Sequence, residues 1–211
     1  MRMRKKKHRE ERMSNCAELM IQTPINKDRV ADYFENENPI HLEIGCGKGG
    51  FITSLAEINP DINYLAIEKN GDVLVLAMEK AKEKNLKNIR FIYGDAGFLS
   101  DIISQGECQR IYINFCDPWH KNCHAKRRLT HRNYIELYKS ILSSVSGEVF
   151  FKTDNKKLFE FTLNECADIG IRMKNITLDL HNSDYQGNIM TEYEKLFSEQ
   201  GMPIYRLEMH F

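Results

Sequence analysis

The stretch NFCDPWHKNCHAKRR, residues 114–128, combines an aspartate with two cysteines, two histidines and four lysines or arginines. Such a set is compatible with a zinc site, a basic surface loop, or the catalytic loop of a protein that handles nucleic acid. Cys116, His120, Cys123 and His124 are of the types that form a tetrahedral zinc site. Structural zinc sites usually divide their ligands between two separate knuckles, and two adjacent ligands point apart on most backbones. We therefore predict no metal here.

A second motif, GCGKGG, follows an apolar run and satisfies GxGxxG with one glycine to spare. It contributes Gly45, Gly47 and Gly49 as candidate cofactor-binding residues, because glycines permit a tight turn and let a ligand approach the backbone. Glu68 ends the next apolar run, where a carboxylate binds the hydroxyls of a ribose. Both NAD and S-adenosylmethionine carry such a ribose, so this motif leaves the choice between them open.

Three further features favour S-adenosylmethionine. Glu43 lies inside the first apolar run, where a buried carboxylate is unfavourable without a partner, and a cationic methionine group would supply one. Glu43 could instead orient the glycine turn. Asp95 follows a third apolar run, placed to bond an adenine amino group or to cap a turn. Asp117, before Pro118 and Trp119, gives a fourth run an acidic end.

These residues need a frame, and from about residue 39 the chain alternates short apolar runs with amphipathic stretches. We predict strands at 39–45, 62–68, 88–93, 110–115, 147–153, 172–180 and 204–210. We predict helices at 50–58, 73–84, 98–104, 132–144 and 156–169. Alternating strands and helices predict a Rossmann-like α/β fold with a mostly parallel, doubly wound sheet, and the last two strands predict an antiparallel pair. A ligand of such a sheet binds at the carboxyl ends of its strands.

Composition narrows the class of protein. Hydrophobic residues make up 42 % of the 211 residues, as in a folded globular protein. No apolar run approaches the roughly 18 residues that cross a bilayer, and the basic N-terminus is not followed by the apolar stretch of a secretion signal. The six cysteines include no CxxC pair, which indicates reduced thiols and a cytoplasmic protein.

The net charge is zero, but basic residues are concentrated in two segments. Residues 1–13 carry seven lysines and arginines against two glutamates, and residues 120–132 carry five against no acid. Either segment could be solvated surface. Together they indicate a face that binds phosphates.

From about residue 39 the chain resembles the bacterial tRNA (guanine-N7)-methyltransferases. The resemblance rests on LEIGCGKGGF (42–51), NFCDPWHKNCHAKRRLTH (114–131), FKTDN (151–155) and LDLHNSDYQGNIMTEYEKLFSEQGMPIYR (178–206). It implies a class I methyltransferase domain at 39–211, preceded by a basic, partly disordered tail and lead-in segment at 1–38. It also implies methyl transfer from S-adenosylmethionine to N7 of a guanine in the variable loop of tRNA, at tRNA position 46, by a monomer or homodimer.

The resemblance assigns roles residue by residue. The positions that match the family's cofactor-binding acids are Glu43, Glu68, Asp95 and Asp117, and Asp117 also matches its proposed catalytic residue. The positions that match substrate-binding residues are Lys121, Asp154, Thr191, Glu192, Tyr193 and Glu194. The stretch that matches a tRNA contact is Cys123, His124, Ala125, Lys126, Arg127 and Arg128.

Two of these groups carry further expectations. Thr191 and Glu194 fit a capping box. We also expect the start of this helix to face the guanine with a carboxylate available for its N1–H and amino group, and Asp154 to face the same cavity. The basic residues that we expect to meet phosphates are Lys121, Lys126, Arg127, Arg128 and Arg132.

The loop departs from the family pattern, which is close to NFSDPWPKKRHxKRR. The replacements are Cys116, His120, Asn122 and Cys123, and they remove two positive charges. Two other functions are compatible with parts of the sequence. An NAD-dependent oxidoreductase would share the glycine motif and Glu68 but leaves Glu43 unexplained, and a non-catalytic tRNA-binding protein would have no use for the cofactor acids.

Overall fold

The computed structural model describes residues 8–23 and 29–211. Its strands are β1 (Ile40–Ile44), β2 (Asn63–Glu68), β3 (Ile89–Tyr93), β4 (Cys108–Asn114), β5 (Glu148–Thr153), β6 (Arg172–Thr177) and β7 (Tyr205–His210). Its α-helices are α1 (Arg9–Ser14), α2 (Gly50–Ile58), α3 (Gly71–Glu83), α4 (Arg132–Ile141), α5 (Lys156–Asp168) and α6 (Glu192–Glu199). The helix that we predict at 98–104 is a 3-10 helix, Ala96–Asp101, which Asp95 caps.

The seven strands form one sheet in the order β3-β2-β1-β4-β5-β7-β6. β1 to β5 are parallel, and β7 pairs antiparallel with both β5 and β6. This arrangement confirms the predicted mostly parallel sheet and its antiparallel end. The strand order reverses between β1 and β4, and in an open α/β sheet the ligand site lies at that reversal, beyond the carboxyl ends of the strands.

The sheet is covered on both faces by apolar layers. Successive strand residues point to opposite faces, so Leu42 and Ile44 of β1 pack with residues of α4 and α5. Glu43 lies on the other face, in register with Ala66 and Tyr112, which pack with α2 and α3. All five residues of β1 are buried, which makes β1 a rigid support for the turn that follows it.

The described parts of the lead-in segment pack against the rest of the chain, and the domain boundary at residue 39 stays a prediction. In α1, Arg12 donates to the Glu79 carboxylate of α3 at 2.7 and 2.6 Å. Ile21 and Val30 are fully buried in the core. The basic residues at 1–7, where we predict a tail, lie outside the described residues. None of the helices in the described ranges is long and apolar enough to cross a membrane.

Position 49 requires a glycine because the start of α2 lies in close contact with α3. A Cβ added there would lie 2.6 Å from the Ala77 Cβ of α3, and the φ of Gly49 is +76°. Gly45 has nearly the same φ, +77°, but nothing lies within 4 Å of its added Cβ. The two glycines therefore share a backbone constraint and differ in the space available to a side chain.

We predict that Gly49→Ala lowers the free energy of unfolding by about 2–5 kcal/mol, since left-handed strain of ~1–2 kcal/mol adds to overpacking of ~1–3 kcal/mol. Gly45→Ala is the matched control and should lose only the strain, about 1–2 kcal/mol. Urea denaturation of both variants measures the difference. Equal losses would show that the contact with Ala77 is not the constraint.

Candidate cofactor and substrate site

A cavity of about 830 Å³ lies at the carboxyl ends of β1, β2 and β4. This volume is within the range of sites that hold a cofactor-sized molecule, about 300–1,000 Å³. The predicted site residues in its wall are Glu43, Gly45, Gly47, Glu68, Asp95, Asp117, Arg127, Thr191, Glu192 and Tyr193. Those that the structure places outside the wall are Gly49, Lys121, Cys123, His124, Ala125, Lys126, Arg128, Asp154 and Glu194.

The glycine turn is held by β2. Gly45 N donates to the Ile67 carbonyl at 2.8 Å, and Gly47 N donates to the Glu68 carboxylate at 3.1 Å. The other Glu68 oxygen accepts from Asn70 N at 2.8 Å. Both glycines have positive φ and no atom within 4 Å of an added Cβ, so the turn leaves open space for a ligand. Because both of its oxygens accept hydrogen bonds, the Glu68 carboxylate is held in place at the edge of that space.

Glu43 is a buried carboxylate that is only partly satisfied. It is 2 % exposed, and its Oε1 accepts from Asn114 Nδ2 at 3.0 Å. Among the described residues its Oε2 has no hydrogen-bond partner. Burial raises the pKa of Glu43 to about 7. A buried acceptor without a partner in a cavity wall fits a cationic ligand group, so the residues present fit S-adenosylmethionine.

Sequence reasoning did not find Asn114 as the partner of Glu43. The register contains the signal: Glu43 pairs with Tyr112, and Asn114 lies two residues further along β4, on the same face. On the next strand, Lys152 is opposite Asn114. The side chains of Glu43, Asn114 and Lys152 therefore form a row across β1, β4 and β5, which the strand order together with the register reveals.

Asp95 and Asp117 reach the cavity from loops. The Asp95 Oδ1 accepts from Gly97 N at 2.9 Å, so Asp95 caps a turn as well as contributing to the wall. The side chain of Asp117 is 69 % exposed, and its Oδ2 lies 3.7 Å from Lys69 Nζ. Asp117 is thus accessible to a large substrate at the mouth of the cavity.

The loop that carries Asp117 has a strained backbone. Phe115 and Trp119 have φ of 52° and 43°, values that bulky residues rarely adopt. Such strain persists only where surrounding contacts fix it. Arg128 provides these contacts, since its guanidinium donates to the carbonyls of Pro118 and Trp119 at 3.0 and 3.1 Å.

Arg128, which we predict to contact RNA, turns toward the protein in this arrangement, and its contact with RNA stays a prediction. Arg128 is 9 % exposed, and its guanidinium lies 4.3 Å from the centre of the Phe161 ring. Arg132 is likewise engaged, because it pairs with Glu165 at 2.7 Å and Asp168 at 2.9 Å. Both guanidinium groups are thus paired within the protein, although the Arg132 side chain is 43 % exposed.

The rest of the basic loop faces outward. Lys121, Cys123 and Lys126 are exposed, and Arg127 lies over the Trp119 ring, 5.0 Å from its centre. The His124 ring is 5.8 Å from that of Trp119. Their contact with RNA stays a prediction. Within the described ranges, no three His, Cys, Asp or Glu residues are arranged to hold a metal ion.

The predicted capping box at the start of α6 is confirmed. Thr191 Oγ1 accepts from Glu194 N at 2.9 Å, and the Glu194 Oε2 accepts from Thr191 N at 3.3 Å. Glu194 is fully buried, and Lys152 Nζ donates to it at 2.6 Å. The Glu194 carboxylate is therefore engaged within the protein, and the expectation of a carboxylate for the guanine at this helix start stays a prediction. Burial lowers the pKa of Lys152.

The outer residues of α6 close the other side of the cavity. Glu192 pairs with Lys80 at 3.1 Å and with Lys48 at 3.7 Å, which ties α6 to α3 and the glycine turn. Tyr193 is 62 % exposed and stacks on Phe197. Asp154, which we expected to face the cavity, is half-buried after β5.

Known proteins resemble this chain over nearly its whole length. A family model described as "Putative methyltransferase" matches residues 37–207. A tRNA (guanine-N(7)-)-methyltransferase of Clostridioides difficile is 50% identical over 210 residues, covering 99% of this chain and 98% of that protein. One of Bacillus velezensis is 45% identical over 212 residues, covering 100% and 97%.

Solved structures agree on the fold. An antibiotic-related methyltransferase has a TM-score of 0.59 at 17% identity and covers 84% of this chain and 88% of its own. A SAM-dependent methyltransferase from Aquifex aeolicus has a TM-score of 0.55 at 13% identity and covers 93% of this chain and 96% of its own. At such identities the likeness shows the fold alone, which is the Rossmann-like fold of class I methyltransferases.

The relatives and the family model also decide between the functions that the sequence left open. A glycine turn combined with an acidic residue such as Glu68 at the end of the second strand is common to oxidoreductases and methyltransferases, but the full-length relatives are methyltransferases. The chain belongs to the tRNA (guanine-N7)-methyltransferase family.

Proposed function

We propose that this protein transfers a methyl group from S-adenosylmethionine to N7 of a guanine in the variable loop of tRNA, in the cytoplasm. The observation that carries the proposal is the Glu43 oxygen that has no hydrogen-bond partner among the described residues, buried in the wall of a cavity between the glycine turn and Asp117. When bound, S-adenosylmethionine supplies a methyl group on a positively charged sulfur. The names of the full-length relatives support tRNA guanine as the acceptor.

The cofactor would be held by three carboxylates that differ in surroundings. Glu68, fixed by Gly47 N and Asn70 N, is placed to accept from ribose hydroxyls. Asp95 lies in the wall beyond the third strand, on the adenine side. Glu43 is the carboxylate whose burial favours a cationic partner, and that partner is the methionine part of the cofactor.

This methyl transfer does not require a general base. N7 of guanine has a free lone pair, so no proton must leave before it attacks, and placement of N7 in line with the methyl group supplies most of the acceleration. Asp117 would accept from the guanine N1–H and offset the positive charge that develops on the ring. Its exposure at the cavity mouth supports this role.

The RNA backbone would meet the exposed part of the basic loop. Lys121 and Lys126 are exposed, and Arg127 lies in the cavity wall over Trp119. Contacts of this kind position a nucleic acid without selecting a base. Base selection must therefore come from groups in the cavity itself.

We expect the protein to transfer labelled methyl from S-adenosylmethionine to unmodified tRNA, because the cofactor and base sites share one cavity. Mass mapping of nuclease fragments should place 7-methylguanine in the variable loop. A tRNA with adenine in place of that guanine is the matched control and should take up no label. Binding of tRNA without any transfer would instead support the non-catalytic alternative.

Asp117→Asn should leave the affinity for S-adenosylmethionine within about threefold, since Asp117 is at the mouth of the cavity. It should lower the single-turnover methylation rate by roughly 100-fold, as loss of a charge-stabilising group does in other enzymes. Calorimetry and rapid-quench assays measure the two quantities. A variant that methylates at nearly the wild-type rate would rule out this role.

The pKa of Glu43 predicts a pH dependence of cofactor binding. Burial raises the pKa to about 7, and a cationic ligand favours the ionised form, so affinity should rise with pH. Between pH 6 and 7.5 the ionised fraction of such a group grows roughly eightfold, which sets the expected gain in affinity. Calorimetry on wild type and on Glu43→Gln, in buffers of different ionisation heat, checks this. The variant should show a flat profile, and an equal slope in both proteins would refute the assignment.

A further inference from the structure

Lys69 and Asp117 form an ion pair across the mouth of the cavity. Lys69 directly follows Glu68 at the end of β2, while Asp117 lies beyond the end of β4, and both are in the cavity wall. Their Nζ and Oδ2 atoms are 3.7 Å apart, with side chains 60 % and 69 % exposed. Ion pairs this exposed contribute little to stability, so holding the fold together does not explain this one.

The pair presents a donor beside an acceptor. An ammonium group has donors alone, and an ionised carboxylate has acceptors alone. The edge of guanine presents the complement in the same order, with the O6 acceptor next to the N1–H donor. Adenine presents the reverse, with an amino donor at position 6 beside the N1 acceptor.

We propose that Lys69 is a specificity-determining residue that donates a hydrogen bond to O6 of the target guanine while Asp117 accepts from N1–H. This inference rests on the proposed function. O6 and N7 are neighbouring acceptors on the same edge of guanine, so a hydrogen bond donated to O6 also fixes the direction in which N7 faces. The two charges sum to zero, so Lys69 does not leave a net positive field against the cation that forms on the ring.

A lysine at this place could also bind the phosphate of the target nucleotide. A phosphate contact and a contact to O6 differ in whether they depend on the identity of the base. A phosphate contact acts equally on every base, whereas a contact to O6 is lost when the base lacks O6. 2-Aminopurine keeps N7 and the 2-amino group but lacks both O6 and the N1 proton, so it removes the base-edge contacts of Lys69 and Asp117 and leaves any phosphate contact in place.

The experiment measures kcat/KM for two synthetic tRNAs that differ only in guanine or 2-aminopurine at the methylated position, with wild type and Lys69→Met. We expect Lys69→Met to lower kcat/KM on the guanine RNA by roughly 10- to 100-fold, the effect of a hydrogen bond from a charged donor. On the 2-aminopurine RNA, Lys69→Met should change kcat/KM by less than about threefold. The ratio of kcat/KM on the guanine RNA to that on the 2-aminopurine RNA should therefore be smaller in the variant than in wild type. The same factor of loss on both RNAs would overturn the inference in favour of a phosphate contact.

Three controls sharpen the outcome. Lys48→Met removes another lysine of the cavity wall, one that pairs with Glu192, and should leave the ratio between the two RNAs as in wild type. Lys69→Arg keeps a donor and should restore most of the discrimination. Calorimetry should show that Lys69→Met binds S-adenosylmethionine as wild type does, and a lost cofactor affinity would also count against the inference. If wild type itself methylates no guanine, the proposed function fails, which is a separate result.

Discussion

The burial of the Glu43 carboxylate beside a cavity is the constraint on which the rest of the site depends. A carboxylate in a strand that is buried on both faces must find partners, and β1 itself offers none. Asn114 on the neighbouring strand supplies one hydrogen bond, and the remaining oxygen is left for a ligand. The position of this carboxylate is thereby set by strand register, which is among the stiffest features of a protein.

The row of polar side chains that begins with Glu43 and Asn114 continues on the same face of the sheet toward α6. Lys152 lies opposite Asn114 and donates to Glu194, whose carboxylate also accepts from the first residue of the capping box. One chain of contacts thus joins the cofactor carboxylate to the start of α6, which forms the opposite wall of the cavity. Breaking a buried pair such as that of Lys152 and Glu194 is strongly destabilising, because it leaves a charge without a partner. The wall of the cavity is therefore as firmly placed as the sheet.

The sequence predicted what depends on local pattern. Glu43 and Glu68 could be placed because each lies at a known position in a strand, and Thr191 because capping boxes have a fixed spacing. Arg128 could not be placed, since nothing in the run Lys126–Arg128 distinguishes the side chain that turns inward. Its direction follows from the carbonyls of Pro118 and Trp119, which a strained backbone exposes. Gly49 was assigned to the ligand because its motif does not reveal the nearness of Ala77, which is a matter of helix packing.

The position of β7 bears on how the protein is made. β7 is the last strand in chain order, yet it lies inside the sheet between β5 and β6 and pairs with both. Until it emerges from the ribosome, β5 has an open hydrogen-bonding edge, the kind of surface on which unfinished chains associate. The parallel part of the sheet, with the glycine turn and Asp117, can form earlier. The order of synthesis thus leaves the edge of β5 open until β7 has been made.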